Sequence, residues 1–109
     1  MDIIIEHDTM IINGKKINLN NKIDKILEFP NYCIILLMDD NVPENNVEAY
    51  DYNGNSIWNI SQIIKLKYSE TYISLSRESE TLFSVVSYNG VKFVVDVNTL
   101  QILDKNITK

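Results

Sequence analysis

The stretch Asn45–Ile60, NNVEAYDYNGNSIWNI, places Asp51 and two asparagines at alternate positions around one glycine. This pattern opens a calcium loop of the EF-hand type, but it also describes two β-strands joined by a tight turn. An EF-hand loop that began at Asp51 would need glycine at its sixth position and glutamate at its twelfth. Those positions hold Ser56 and Gln62. We therefore interpret the polar residues as a hairpin turn and predict no metal site.

Each glycine of the chain follows an asparagine, at Asn13-Gly14, Asn53-Gly54 and Asn89-Gly90. Asn-Gly tolerates the positive φ angles of a two-residue type I′ turn, and short runs rich in β-branched and aromatic residues flank each pair. We predict an all-β fold in a single domain, residues 1–109. The hairpins would form an antiparallel meander, one twisted sheet that curls into a small barrel or sandwich.

Two segments leave room for a short helix. Segment 19–28 has apolar residues at helical spacing, but we prefer a strand over Lys22–Phe29 that turns at Pro30-Asn31 into the apolar strand Tyr32–Met38. Segment 59–68, NISQIIKLKY, is either a short helix or a crossing loop.

The two halves of the chain echo each other. With Asp51 set on Asp96, an offset of 45 residues, Asn53 falls on Asn98, and VEAYDYNGNSIWNI aligns with KFVVDVNTLQILDK. Each segment reads as a strand, an Asp-x-Asn turn and a strand, at about the period of a propeller blade. A closed propeller needs about four blades, so this chain cannot form one alone.

The residue types that carry chemistry are sparse. His7 is the single histidine and lies at a predicted turn, and Cys33 is the single cysteine and opens an apolar strand. We therefore predict that the His7 side chain is exposed and that Cys33 is a buried structural thiol. Asp39 and Asp40 point to opposite faces if they continue a strand, and no phosphate loop, Cys-x-x-Cys pair or nucleophile elbow occurs. We predict that the protein is not an enzyme and needs no cofactor.

Charge is unevenly distributed along the chain. Segment 26–64 has six acidic residues and no Lys or Arg, whereas the whole chain has a net charge of −5. The acidic segment forms either a surface that only aids solubility or a docking surface for a basic partner. Nucleic-acid binding is disfavoured, since it requires clustered Lys and Arg. The longest apolar run, Cys33–Met38, is far shorter than the roughly 20 residues that span a bilayer, and the N-terminus is acidic where a secretory signal is basic. We expect a cytoplasmic protein with no membrane contact.

Tyrosines provide candidate anchors for a partner. Tyr50 and Tyr52 share one face of their predicted strand, near Glu48, and are either packing residues or interface anchors. Trp58 alternates with Ser56 and Ile60 and is predicted to lie in the core.

Two segments resemble a known family. NNVEAYDYNGNSIWNI is similar to the N-V-x-x-[YF]-D-x-x-G-x-x-[IL]-W-x-I segment of small bacterial immunity proteins encoded beside polymorphic or contact-dependent growth inhibition toxins. TLFSVVSYNGVKFVVDVNTLQILDKNITK resembles their closing segment, and the similarity covers residues 23–109. The chain departs from that pattern at Leu100, where the family usually has glycine after the turn threonine. The shape of the last turn is therefore not predicted by the resemblance.

The resemblance implies an immunity protein that occludes the active site of a cognate toxin domain, which we expect to be a basic nuclease bound 1:1 by the monomer. The predicted contact residues are on or near the loop DDNVPENN: Asp39, Asp40, Glu44, Glu48, Tyr50 and Tyr52. Two other functions remain open. One is a generic β-sheet interaction or repeat module that forms a homodimer, and the other is a small ligand-binding β-barrel.

Overall fold

The computed structural model describes residues 2–40, 43–66 and 69–107. Eleven strands occur in these ranges, in the following order: β1 Ile3–Glu6, β2 Thr9–Ile12, β3 Lys15–Asn18, β4 Ile23–Glu28, β5 Tyr32–Leu37, β6 Val47–Asp51, β7 Ser56–Asn59, β8 Tyr72–Arg77, β9 Leu82–Ser87, β10 Val91–Asp96 and β11 Ile102–Ile107. A single-turn 3-10 helix, Ile60–Gln62, follows β7. Within the same ranges, the structure contains no helix of the length and apolar character that a membrane crossing requires.

The predicted all-β, antiparallel fold is confirmed, but the strands form three sheets and not one. The first sheet is β1-β2-β3, the central sheet is β4-β5-β6-β7 and the third sheet is β8-β9-β10-β11. Each strand pairs with its neighbour in sequence, so each sheet is a meander. No sheet of the described chain closes on itself. The fold is a layered sandwich and not a barrel.

β5 explains why the apolar run in this part of the sequence is continuous. Cys33, Ile35 and Leu37 point toward the first sheet, and Ile34 and Leu36 point toward the third sheet. All five side chains are buried. A strand that is covered on both faces loses the usual alternation of apolar and polar residues.

The larger core lies between the central and third sheets. Trp58, at its centre, stacks on Phe83 with ring centroids 5.7 Å apart and contacts Tyr32 edge-on at 6.0 Å. The predicted core position of Trp58 is confirmed, since only 4% of the residue is exposed. Its indole N–H has no hydrogen-bond partner among the described residues. Burial raises the pKa of the Tyr32 hydroxyl, and the neighbouring Trp58 side chain opposes this rise.

The three Asn-Gly pairs form two kinds of turn. Asn13 and Gly14 both have positive φ, 46° and 87°, and close the predicted two-residue turn between β2 and β3. In the other two pairs only the glycine has positive φ, and its N–H donates to the carbonyl three residues earlier, at 3.1 Å for Gly54 and 2.9 Å for Gly90. Both loops consist of the three residues Tyr-Asn-Gly, one residue more than the Asn13-Gly14 turn. A three-residue loop with a bulge at the glycine therefore replaces the type I′ turn.

The structure assigns the first ambiguous segment in full and the described part of the second. Segment 19–28 contains β4, so the preferred strand is confirmed, and it turns at Pro30-Asn31 into β5. Segment 59–68 begins with the 3-10 helix, which Asn59 caps by accepting a hydrogen bond from the Ser61 N–H at 3.0 Å. Lys67 and Tyr68, at the end of that segment, lie outside the described residues.

The two similar segments of the sequence also form similar turns in the structure, at Asp51 and at Asp96. The Asp51 carboxylate accepts hydrogen bonds from the N–H groups two and four residues later, both at 2.9 Å. The Asp96 carboxylate accepts them from the N–H groups two and three residues later, at 2.8 and 3.0 Å. These backbone hydrogen bonds lower the pKa of both carboxyl groups. The polar residues of the opening stretch thus serve turn geometry. Leu100 has a φ of 61°, which is in the left-handed region that glycine adopts without strain.

Candidate binding surface

One end of the sandwich is assembled from three segments that are distant in sequence: the β5–β6 loop (38–46), residues 69–71 before β8, and the β9–β10 turn (88–90). The Asn45 N–H donates to the Glu70 carbonyl and the Tyr88 N–H donates to the Thr71 carbonyl, both at 2.8 Å. Residues 41 and 42 of the predicted contact loop lie outside the described residues. We name this region the acidic end, after the acidic side chains on it: Asp39, Asp40, Glu44 and Glu70.

Asn46 holds the loop of the acidic end in place. Its side-chain amide donates to the carbonyls of Leu37 and Tyr72, each at 2.8 Å, and its side-chain oxygen accepts from the Tyr72 N–H at 2.8 Å. The residue is buried. One side chain therefore joins the central sheet to the third sheet, with the loop between them. The Thr71 hydroxyl adds a hydrogen bond to the Pro43 carbonyl at 3.2 Å.

A groove of about 370 Å³ opens at the acidic end, lined by Met38, Glu44, Ser69, Glu70, Thr71, Ile73 and Tyr88. Much of its apolar surface is accessible, because Ile73 is 48% exposed and Tyr88 is 74% exposed. Two carboxylates and no Lys or Arg occur among these lining residues. Tyrosine is enriched among the residues that contribute most to protein–protein binding, and polar residues usually form the rim around them.

The predicted contact residues Asp39 and Asp40 follow β5 at this end. The Asp39 carboxylate is tied to the backbone, where it accepts from the N–H of Asp40 at 2.8 Å and from that of Lys22 at 3.3 Å. These hydrogen bonds lower the pKa of Asp39, with the Asp40 N–H the largest cause. Asp40 itself is exposed. Asp39 thus shapes the loop, and Asp40 offers its carboxylate to solvent.

Glu44 and Glu48, also predicted, lie in different environments. Glu44 is exposed and lines the groove. Glu48 is half-buried on β6 and accepts hydrogen bonds from the Tyr50 hydroxyl at 3.1 Å and from the Asn59 amide at 3.5 Å. The structure therefore brings Glu44, but not Glu48, to the groove.

The two predicted tyrosine anchors pack inside the molecule. Tyr50 is only 9% exposed and belongs to the core between the first and central sheets, where burial raises the pKa of its hydroxyl. Tyr52 is half-buried on the same face, donates to the Phe29 carbonyl and lies 3.1 Å from the Tyr32 carbonyl oxygen. Burial raises the pKa of Tyr52 to about 12. The prediction that they share a face is confirmed, but neither presents a free ring.

Sequence reasoning missed the residues that complete the groove. Tyr88 precedes Asn89-Gly90 in a predicted turn, but Tyr52 precedes Asn53-Gly54 in the same way, so the pattern does not indicate which ring is exposed. Glu70 lies after the acidic segment 26–64 and was not grouped with it. Its proximity to Glu44 depends on the pairing of the loop with residues 69–71, which no local pattern reveals.

The single cysteine and the single histidine of the chain lie in the environments that the sequence predicts. Cys33 is buried as predicted, and burial raises the pKa of its thiol to about 11, the opposite of an activated nucleophile. His7 is exposed at the β1–β2 turn, as predicted. Within the described ranges, no group of three or more His, Cys, Asp or Glu residues is placed to hold a metal ion.

A family model described as a domain of unknown function (DUF7957) matches residues 1–107. The chain belongs to the DUF7957 family. All three sheets of this DUF7957 domain fall within the matched residues. No curated protein and no solved structure matched the chain.

Proposed function

We propose that this DUF7957 chain is an immunity protein, which binds a basic toxin domain through the acidic end and neutralises it. The observation that carries the proposal is the groove, which combines an exposed Tyr88 ring with the carboxylates of Glu44 and Glu70 and has no Lys or Arg among the described residues of its lining. The resemblance of the β6–β7 and β9–β11 segments to immunity proteins points to the same class.

Inhibition would follow from charge complementarity. A nuclease toxin carries a basic cleft that receives phosphate groups, and the carboxylates of Asp40, Glu44 and Glu70 would take the place of phosphate oxygens. The hydrogen bonds of Asn46 and Thr71 hold this surface ready before binding, which limits the entropy lost on association. We propose a 1:1 complex in the cytoplasm of the producing cell.

Co-expression tests this function directly. The gene that neighbours the DUF7957 gene would be expressed in a bacterial host alone and together with it. We expect a toxin domain that stops growth alone and is neutralised by the DUF7957 chain. Growth arrest that persists despite equal amounts of both folded proteins would contradict the proposal.

A homodimer is the second candidate, because the edge strand β11 exposes apolar side chains. Ile102 is 41% exposed and Leu103 is 55% exposed at the open edge of the third sheet. An uncovered edge can pair with a second copy, although the neighbouring Asp104 and Lys105 discourage it. Light scattering separates the candidates: a dimer without a partner favours edge pairing, and a monomer favours the immunity function. The ligand-binding barrel loses support, because the described sheets do not close.

A further inference from the structure

We propose that the groove of the acidic end is a pocket for one arginine side chain of the basic partner. The inference rests on the proposed function for the identity of that partner. In the pocket, the guanidinium group would stack on the Tyr88 ring between the carboxylates of Glu44 and Glu70. The aliphatic part of the arginine would lie on Met38 and Ile73.

The groove has the apolar surface that a long cationic side chain needs. Arginine buries its methylene groups on apolar surface while its charged end stays hydrated or paired. Met38 and Ile73 supply that surface, and Tyr88 adds a ring that is 74% exposed. A ring so exposed at a hairpin corner contributes little to the core. It is free to receive a planar cation.

Among the described residues, neither carboxylate at the groove forms an ion pair. The one ion pair among the described residues joins Lys92 to Glu78 at 3.4 Å and lies elsewhere. The Glu70 carboxylate accepts a hydrogen bond from the Asn89 amide at 3.1 Å, which orients it without neutralising it. A bound guanidinium would supply the missing charge and could pair with a carboxylate through two parallel hydrogen bonds.

A neighbouring groove of about 280 Å³ shows the contrast. It shares Glu70 but is also lined by Lys105, whose ammonium lies 5.7 Å from the centre of the Phe93 ring. Arg77 stacks on Phe29 in the same manner, at 4.1 Å. In both places the chain supplies its own cation to an aromatic ring. At Tyr88, the described structure records no such cation.

Arginine fits better than the alternatives. A second copy would bring a net charge of −5 toward an acidic surface, which is repulsive. Lysine offers a compact and strongly hydrated charge, whereas the guanidinium group is planar, less hydrated and able to stack and pair at once. The occupant is therefore an arginine that projects from a basic protein surface.

A peptide titration tests the pocket without the toxin. The full chain, labelled with 15N, would be titrated with the capped pentapeptide Gly-Gly-Arg-Gly-Gly and with its Lys and citrulline counterparts. We expect the arginine peptide to bind with a dissociation constant on the order of 1 mM, and to shift the amide signals of the groove residues. The lysine peptide should bind more weakly, and the uncharged citrulline peptide should not bind.

Variants decide between a pocket and general charge attraction. Tyr88→Phe should keep arginine binding, whereas Tyr88→Ala should weaken it about fivefold through loss of the cation–ring contact. Glu44→Gln/Glu70→Gln should abolish the shifts, and the control Asp2→Asn/Glu80→Gln, with the same change of net charge at exposed sites, should not. Equal binding of the Arg and Lys peptides, or shifts that survive Glu44→Gln/Glu70→Gln, would overturn the arginine pocket. That result would leave the co-expression test unaffected, so the two failures are distinguishable.

Discussion

At the scale of single residues, Asn46 is the polar side chain on which the arrangement of the acidic end depends most. Asn46→Ala would leave the Tyr72 N–H and two carbonyls buried without partners, at a cost of about 3 kcal/mol in the free energy of unfolding. Urea denaturation measures this cost. The exposed Asn98 serves as the control, and Asn98→Ala should change the free energy by less than about 0.5 kcal/mol. A similar small change for both variants would contradict the assigned role.

Leu100 has a left-handed backbone conformation that glycine adopts without strain. Leu100→Ala would keep the strain and lose the packing of the side chain against the larger core, whereas Leu100→Gly would lose the packing but relieve the strain. We expect Leu100→Gly to be more stable than Leu100→Ala by about 1 kcal/mol, the reverse of the usual order. Thermal unfolding of both variants gives the comparison, and an alanine variant of equal or higher stability would contradict the strain.

The hydrogen-bonded carboxylates of Asp51 and Asp96 lead us to expect that the protein loses stability in acid. Their pKa values in the folded protein lie below the unfolded value of about 4, because backbone N–H groups donate to the charged carboxylates. Their contribution is therefore present above about pH 4 and is lost as the pH falls through the folded pKa values. Asp51→Asn/Asp96→Asn should lose less stability than the wild type between about pH 7 and about pH 3, as measured by urea denaturation. Asp2→Asn is the control, and equal acid sensitivity of all three proteins would contradict this account.

At the scale of elements, local chemistry determines what could be predicted. The apolar strand β5 and the turn at Pro30-Asn31 were predicted because their residues act on their immediate neighbours. The two-residue turn was right at Asn13-Gly14 and wrong at the Tyr-Asn-Gly loops, where one more residue moves the glycine to the bulge position. The partition into three sheets was not predicted, because it depends on which faces pack together and not on any single hairpin.

The first sheet covers one face of the central sheet and buries the Cys33 thiol. The rate at which this thiol reacts therefore measures how often the first sheet separates from the central sheet. Cys33 and Met10 belong to the core between these two sheets, whereas Leu75 belongs to the other core. Met10→Ala should speed the reaction of Cys33 with a thiol reagent under native conditions more than Leu75→Ala does. A small three-stranded sheet with a weakened core opens locally before the whole molecule unfolds. Equal labelling rates at matched stability would show that the sheets open together.

At the scale of the whole molecule, the packing of the sheets brings residues that are distant in sequence together on one surface. Tyr52 and Tyr88 occupy the same position in two Tyr-Asn-Gly turns, yet the first packs on the core and the second projects at the acidic end. Sequence alone could not tell them apart, since the difference lies in what the neighbouring sheet offers to each ring. The contact of Glu70 with the β5–β6 loop likewise depends on how the central and third sheets pack against each other.

The central claim is that the acidic end binds a basic protein. Calorimetry would measure the affinity of the full chain for the toxin domain encoded beside its gene, at low and high salt. The control is Asp2→Asn/Glu80→Gln, and the test variant is Glu44→Gln/Glu70→Gln. We expect the test variant to bind at least about tenfold more weakly than the wild type and to show a flatter salt dependence, because two charges that attract the partner are gone. Unchanged affinity and salt dependence in the test variant would contradict the account.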